Sequence, residues 1–178
     1  MKKMVIAAVA VFGIAFTSQA QQQTTLSVRL HPIQTLVVNP AQDNVVLDYV
    51  STGDYAGGVS SQQADHLSVY STGGFQVKVK SASEDLTSTS SAVTSTLAAN
   101  TIQVIATNGS EALTGATFST VNLSATETTL ISSAVGGVDK TFNVEYKGAG
   151  ADQYVNLYNN AENPTVYSTT VTYTITAQ

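Results

Sequence analysis

Apolar side chains recur at every second position through most of this chain. A period of two belongs to a strand with one buried face, and it narrows the open folds more than any other feature. Leu26, Val28 and Leu30 alternate with Ser27 and Arg29. Phe75, Val77 and Val79 alternate with Gln76, Lys78 and Lys80, which should point to solvent. Phe142, Val144 and Tyr146 follow the same rule, and Tyr167, Thr169, Val171, Tyr173 and Ile175 share one face of the closing stretch from Val166 to Thr176. The supply of Thr, Ser, Val and Tyr suits a pleated, half-buried surface, while good surface-helix formers are scarce.

Further strands are expected over Val45 to Tyr49, at Leu67 and Val69, over Thr101 to Ala106 and over Thr128 to Ser133. The strand from Thr101 ends at the turn signal Asn108-Gly109. Phe118, Val121 and Leu123 belong to another strand whose spacing breaks strict alternation. Leu67 and Val69, the Ser71 to Gly74 turn, and the run from Phe75 read as a hairpin. Ser83 to Ala99 reads as a Ser/Thr-rich loop or a short helix near Val93 and Leu97, and Lys147 to Pro164 as a second long connection. Roughly eight or nine evenly spaced strands argue for an all-β sandwich or barrel. The chain lacks cysteine, so burial and ladder hydrogen bonds must hold it together. Its length suits one domain.

Residues 1–20 read as a secretory signal peptide. Lys2 and Lys3 supply the positive start, Met4 to Phe16 is almost unbroken apolar sequence, and Ser18-Gln19-Ala20 places small residues at the cleavage site, before Gln21. The alternative is a membrane anchor, but a spanning helix needs about 20 apolar residues. No cysteine stands at the cleavage site to take a lipid. The chain has 7 basic and 12 acidic residues; loss of Lys2 and Lys3 leaves 5 against 12, a net charge of −7. The remaining cations are scattered apart from Lys78 and Lys80, so nucleic acid and anionic membranes are not expected partners.

The residues offer little chemistry. His31 and His66 are the only histidines, and neither has metal-ligand spacing to another His or a Cys. Both read as ordinary strand-end residues. There is no Gly-x-Ser-x-Gly elbow and no Ser-x-x-Lys. Asp43 and Asp54 lack an EF-hand pattern. The Gly57-Gly58, Gly73-Gly74 and Gly136-Gly137 pairs read as turns requiring positive φ, not phosphate loops, since none joins a strand to a helix in a βαβ unit. No catalytic, cofactor or metal residue is assigned, and an enzyme is not expected. Tyr49, Tyr70, Tyr146, Tyr167 and Tyr173 fall in expected strands, which leaves Tyr55, Tyr154 and Tyr158 as candidates for a surface contact.

Residues 21–31 are the most informative. A polar start leads into the alternating Leu26 to His31, Pro32 interrupts, and a second apolar run, Ile33 to Val38, closes at Asn39-Pro40. Proline removes a ladder donor and fixes φ, so it marks a hinge or a strand end. Two readings stand. One is a bent first strand that switches sheets inside a self-contained sandwich. The other is an N-terminal extension that leaves its own domain and inserts Leu26, Val28 and Leu30 into a groove on the next copy, hinged at Pro32.

Leu26-Ser27-Val28-Arg29-Leu30-His31-Pro32-Ile33-Gln34-Thr35-Leu36, together with Thr129 to Ala134 and Tyr167 to Ile175, resembles the strands of bacterial fimbrial major subunits, closest to the alpha class (the colonisation-factor type) of chaperone–usher pilins. The absence of cysteine fits that class better than disulfide-bearing pilins. The likeness is a pattern of strands over most of the chain after residue 20, and the loops after Lys80 and Lys147 do not match closely. It implies an immunoglobulin-like sandwich over 32–178 and a donor strand within 21–31. It further implies a structural fibre subunit of a Gram-negative surface that supports adhesion, polymerises with copies of itself, and passes a periplasmic chaperone and an outer-membrane usher. A host or glycan receptor would be its target, and no cofactor is implied. The alternative from the residues alone is a self-contained secreted or periplasmic module that binds glycan or cell wall.

Overall fold

A computed structural model describes residues 20–178; the signal-peptide reading, Ala20 apart, falls on residues outside that range. Residues 20–30 belong to a separate N-terminal unit and have no strand and every side chain exposed. His31–Gln178 forms the other unit, and it is all-β apart from short helical turns.

The strands, in chain order, are β1 (Gln34–Val38), β2 (Ser60–Ser71), β3 (Phe75–Ser81), β4 (Asp85–Thr87), β5 (Thr96–Ala98), β6 (Gln103–Asn108), β7 (Thr117–Phe118), β8 (Thr120–Asn122), β9 (Thr128–Ser133), β10 (Gly137–Lys147) and β11 (Val171–Ala177). One sheet has the order β1-β2-β10-β6-β8, the second β11-β3-β9-β7, and β4 and β5 make a small hairpin. All pairings are antiparallel. The two sheets enclose a core in which Leu67, Phe75, Val104, Leu130, Ile131 and Phe142 are fully buried. Phe142 sits edge-on to Phe75 and Phe118, with ring centroids 6.5 and 6.0 Å apart.

Local alternation is obeyed wherever a strand is regular. In β3 every odd residue from Phe75 to Ser81 is buried while Gln76, Lys78 and Lys80 are half-exposed. Phe142, Val144 and Tyr146 of β10 do the same. Several expectations are corrected. The β2–turn–β3 stretch is not a hairpin: β2 and β3 lie in different sheets, so the Ser71 to Gly74 turn carries the chain across the sandwich. A turn that leaves one sheet for the other has the same residues and length as a hairpin turn, and only the partners of each strand distinguish them.

The broken spacing of Phe118, Val121 and Leu123 has the same origin. β7 pairs with β9 in one sheet, and β8, beginning two residues later, pairs with β6 in the other. Ser83 to Ala99 holds the β4–β5 hairpin rather than a helix near Val93. Val45 to Tyr49 is extended but joins no sheet, and the expected strand from Val166 to Thr176 is regular only from Val171. Of the paired glycines only Gly58 has positive φ, at 83°. Gly136 is needed for another reason: a Cβ there would run into the Ser71 carbonyl oxygen.

Candidate functional site

A groove of about 750 Å³ opens between two segments of the sandwich, residues 44–50 and 165–171. Its first wall begins where β1 stops. Pro40 opens a 3₁₀ turn, Pro40–Gln42, capped by the Asn39 side chain, which accepts from the Ala41 N–H at 3.1 Å. Gln42 then ties the turn to β2, donating to the Ala64 carbonyl at 2.9 Å. From there Val45, Leu47 and Tyr49 turn inward, half-buried, while Val46, Asp48 and Val50 face out. The alternation is that of a strand, yet among the described residues no backbone hydrogen bond reaches 43–49.

This wall is pinned at its far end by a helix the sequence reading missed, α1 (Thr52–Gly57). Its signal was present in Ser51-Thr52-Gly53-Asp54: the Ser51 hydroxyl accepts from the Asp54 N–H and the Asp54 carboxylate accepts from the Ser51 N–H, a capping box. The Ser51 backbone bond, then its hydroxyl and the Val50 N–H, hold the Asp54 carboxyl below its ordinary range. The Tyr49 hydroxyl donates to the Ala149 carbonyl at 2.7 Å, and burial pushes its pKa up to about 12.

The second wall is paired on one side only. Ser168 exchanges backbone bonds with Thr87 at 2.9 and 3.2 Å, and the Thr170 carbonyl accepts from Ala82 N–H at 2.9 Å. Alternate residues of a strand present their backbone groups to opposite sides. Tyr167 and Thr169 therefore present theirs to the groove, where no backbone partner among the described residues meets them. The Thr169 Oγ1 is buried without a hydrogen-bond partner among the described residues. Buried polar groups are normally satisfied, so this orphan hydroxyl carries a desolvation cost.

The groove floor is core. Leu86, Leu97, Ile102 and Leu123 line it, with a polar chain at one end. His66, only 2 % exposed, meets the Gln42 Oε1 through Nδ1 at 3.0 Å and the Tyr146 hydroxyl through Nε2 at 3.1 Å; that hydroxyl meets the Tyr173 hydroxyl at 2.5 Å. Burial lowers the pKa of His66 and raises those of both tyrosines.

His66 is thus not the ordinary strand-end residue the sequence suggests. Between Gln63, opposite Val144, and Leu67, opposite Phe142, β2 carries two extra residues. Asp65 takes φ 48°, the Asn143 side chain accepts its N–H at 2.8 Å, and His66 is turned inward beside Leu67.

The remaining sequence candidates divide. Leu26, Val28 and Leu30 are 88, 78 and 90 % exposed, in the separate N-terminal unit. Pro32 is exposed and immediately precedes Ile33, whose N–H and C=O bond to Thr72 and open the folded unit. Tyr158 is exposed, as a surface contact requires, and Tyr55 is half-buried against Tyr49. Tyr154 is buried, its hydroxyl shared with Thr101 and the Ala149 N–H, so it is a packing residue rather than a free surface ring. Among the described residues no three His, Asp or Glu side chains converge as metal ligands.

Fold and site together define a two-sheet antiparallel sandwich whose core is open along a groove with unpaired backbone on both walls. No protein-family model matches the chain, and no characterised protein matches it in sequence.

Proposed function

We propose that this protein is a structural subunit of a surface fibre of the pilin kind, polymerising when the segment 21–31 of one copy enters the groove of the next. The observation that carries the reading is the groove, in which a floor of core side chains lies between two extended segments whose inward backbone groups lack partners. Such a slot is shaped for one more strand. A long unpaired edge is an aggregation hazard that a self-contained domain ordinarily closes. That weighs against the alternative, a self-contained binding module.

The chain carries a strand of the right kind. Leu26, Val28 and Leu30 alternate and are exposed, and the proline that follows separates them from β1. Burying each apolar side chain on the groove floor is worth about 1.5–3 kcal/mol, and a ladder to both walls adds hydrogen bonds. Export through the periplasm under a chaperone that covers the groove, delivery by an outer-membrane usher, an immunoglobulin-like topology and an adhesive role follow from the same reading.

The test is assembly. Electron micrographs of expressing cells should show filaments, and Val28→Asp, which puts a carboxylate into the inserted strand, should abolish them. The variant should instead be recovered as single copies bound to whatever covers the groove. Native protein recovered as soluble, stable monomers with no filaments would sink the proposal.

A further inference from the structure

We propose a second site, independent of the groove and of the polymer reading: a polar cleft on the outer face of the five-stranded sheet that binds a short acidic oligosaccharide. Lys147 lies opposite Gln103 in the β10–β6 register, and Gln103 opposite Asn122 in the β6–β8 register. Their chain neighbours Tyr146, Val104 and Val121 are buried, so these three side chains form one outward-facing row across three strands. Asn100 and Gln153 border the same cleft, a solvent-open hollow of about 630 Å³.

Two features suit this cleft to a polar ligand. Its wall is rigid. The 148–151 loop is bonded to the helix end by Ala151 N–H to the Ala56 carbonyl at 2.8 Å and Asp152 N–H to the Tyr55 carbonyl at 2.9 Å, and a Cβ on Gly150 would collide with the backbone of Gly57 and Gly58. Ala151 and Asp152, neither a glycine, are held at φ 53° and 59°, a conformation that persists only where the surroundings impose it. Second, the hydrogen-bonding capacity is unspent. The side chains of Asn100, Gln103, Asn122, Lys147 and Gln153 make no hydrogen bond or ion pair with any other described residue.

The chemistry of the lining selects the ligand. Carboxamides both donate and accept, as sugar hydroxyls do. Lys147 is the one ionisable side chain lining the cleft among the described residues that is cationic, and no Asp or Glu side chain joins it there. A sugar bearing one carboxylate therefore fits better than its neutral counterpart. No aromatic ring lines the cleft among the described residues, so binding rests on hydrogen bonds and should be weak for one copy.

Saturation-transfer NMR, which reads the sugar protons and works on monomer or polymer alike, provides the test. Sialyllactose should bind with a Kd of about 1 mM, about two- to fivefold tighter than lactose, as expected for one exposed charge contact. Gln103→Ala with Lys147→Ala, at outward positions that leave the core intact, should weaken sialyllactose about tenfold with the melting temperature unchanged. Should that pair perturb folding, Asn122→Asp at an exposed position should remove the preference for the acidic sugar. No saturation transfer, equal affinity for the two sugars, displacement by an equal concentration of inorganic phosphate, or unchanged binding in folded variants would each overturn the proposal.

Discussion

His66 is kept neutral by the bulge that turns it inward, and its protonation is therefore linked to folding. Burial sets its pKa below the ordinary 6.5. Between that lowered value and 6.5 the unfolded chain binds a proton that the folded chain refuses, so stability rises with pH across this window and is lost as pH falls through it. Urea midpoints should be flat above neutrality and drop as pH is lowered below 6.5, and His66→Gln should flatten that drop. Asp54 and Asp65 act in a separate, more acidic window. Hydrogen bonds led by the Ser51 N–H for Asp54 and the Ser110 N–H for Asp65 hold both carboxyls below 3.8 in the folded state. Their contribution is present above 3.8 and is lost as pH falls toward the lowered values. Thr169 offers a test of the opposite sign. Its orphan hydroxyl is a buried polar group without a partner, so Thr169→Val should stabilise the free subunit by about 1 kcal/mol, read by chemical denaturation.

At the scale of elements, β10 is the keystone, pairing with both β2 and β6 and supplying Phe142 to the contact with Phe75 and Phe118. Phe142→Ala should cost about 3–5 kcal/mol, a large part of the 5–15 kcal/mol or so that holds a typical domain, and calorimetry should show a collapse in melting temperature. The helix α1 matters through what it anchors. Ser51→Ala removes the hydroxyl of the capping box at a cost of about 1 kcal/mol, and loosening should be read first as faster amide exchange at Asp54, whose N–H that hydroxyl accepts, and at Val50, where the groove wall ends. β3, β6 and the second half of β10 were legible because each alternates over a buried face, and β9 was read as a strand although the neighbours Leu130 and Ile131 are both buried. α1 was legible only through its cap, since six residues are too few to display a helical period. The two groove walls were legible as extended segments but not as unpaired ones, because pairing depends on residues far away in the chain.

For the whole molecule, the open groove predicts linkage between occupancy and stability. A free peptide of residues 21–31, added to the Val28→Asp chain, should raise the unfolding free energy as it fills the slot, by about 2.7 kcal/mol at a hundred times its Kd. The scrambled peptide should do nothing. Thermal shift measured against peptide concentration gives the affinity, and an absent shift would mean that the slot does not take this strand. The sparse cations of the chain, 5 after residue 20 against 12 acidic residues, make that binding an apolar rather than an electrostatic event. Its affinity should accordingly vary little with salt.

Alternation alone determined that this chain is all-β, and which side chains of each regular strand lie inside, because the side-chain period is a property of neighbouring residues. It also gave Leu26 to His31 an alternating apolar face with a proline after it, although the described residues form no strand there. Only the tertiary structure decided that β2 and β3 part company across the sandwich, that two extra residues turn His66 into the core, and that residues 44–50 and 165–171 line one groove. Each of these depends on which distant backbone a strand hydrogen-bonds to. That choice is made by the packing of the whole core, and no local run of residues carries it.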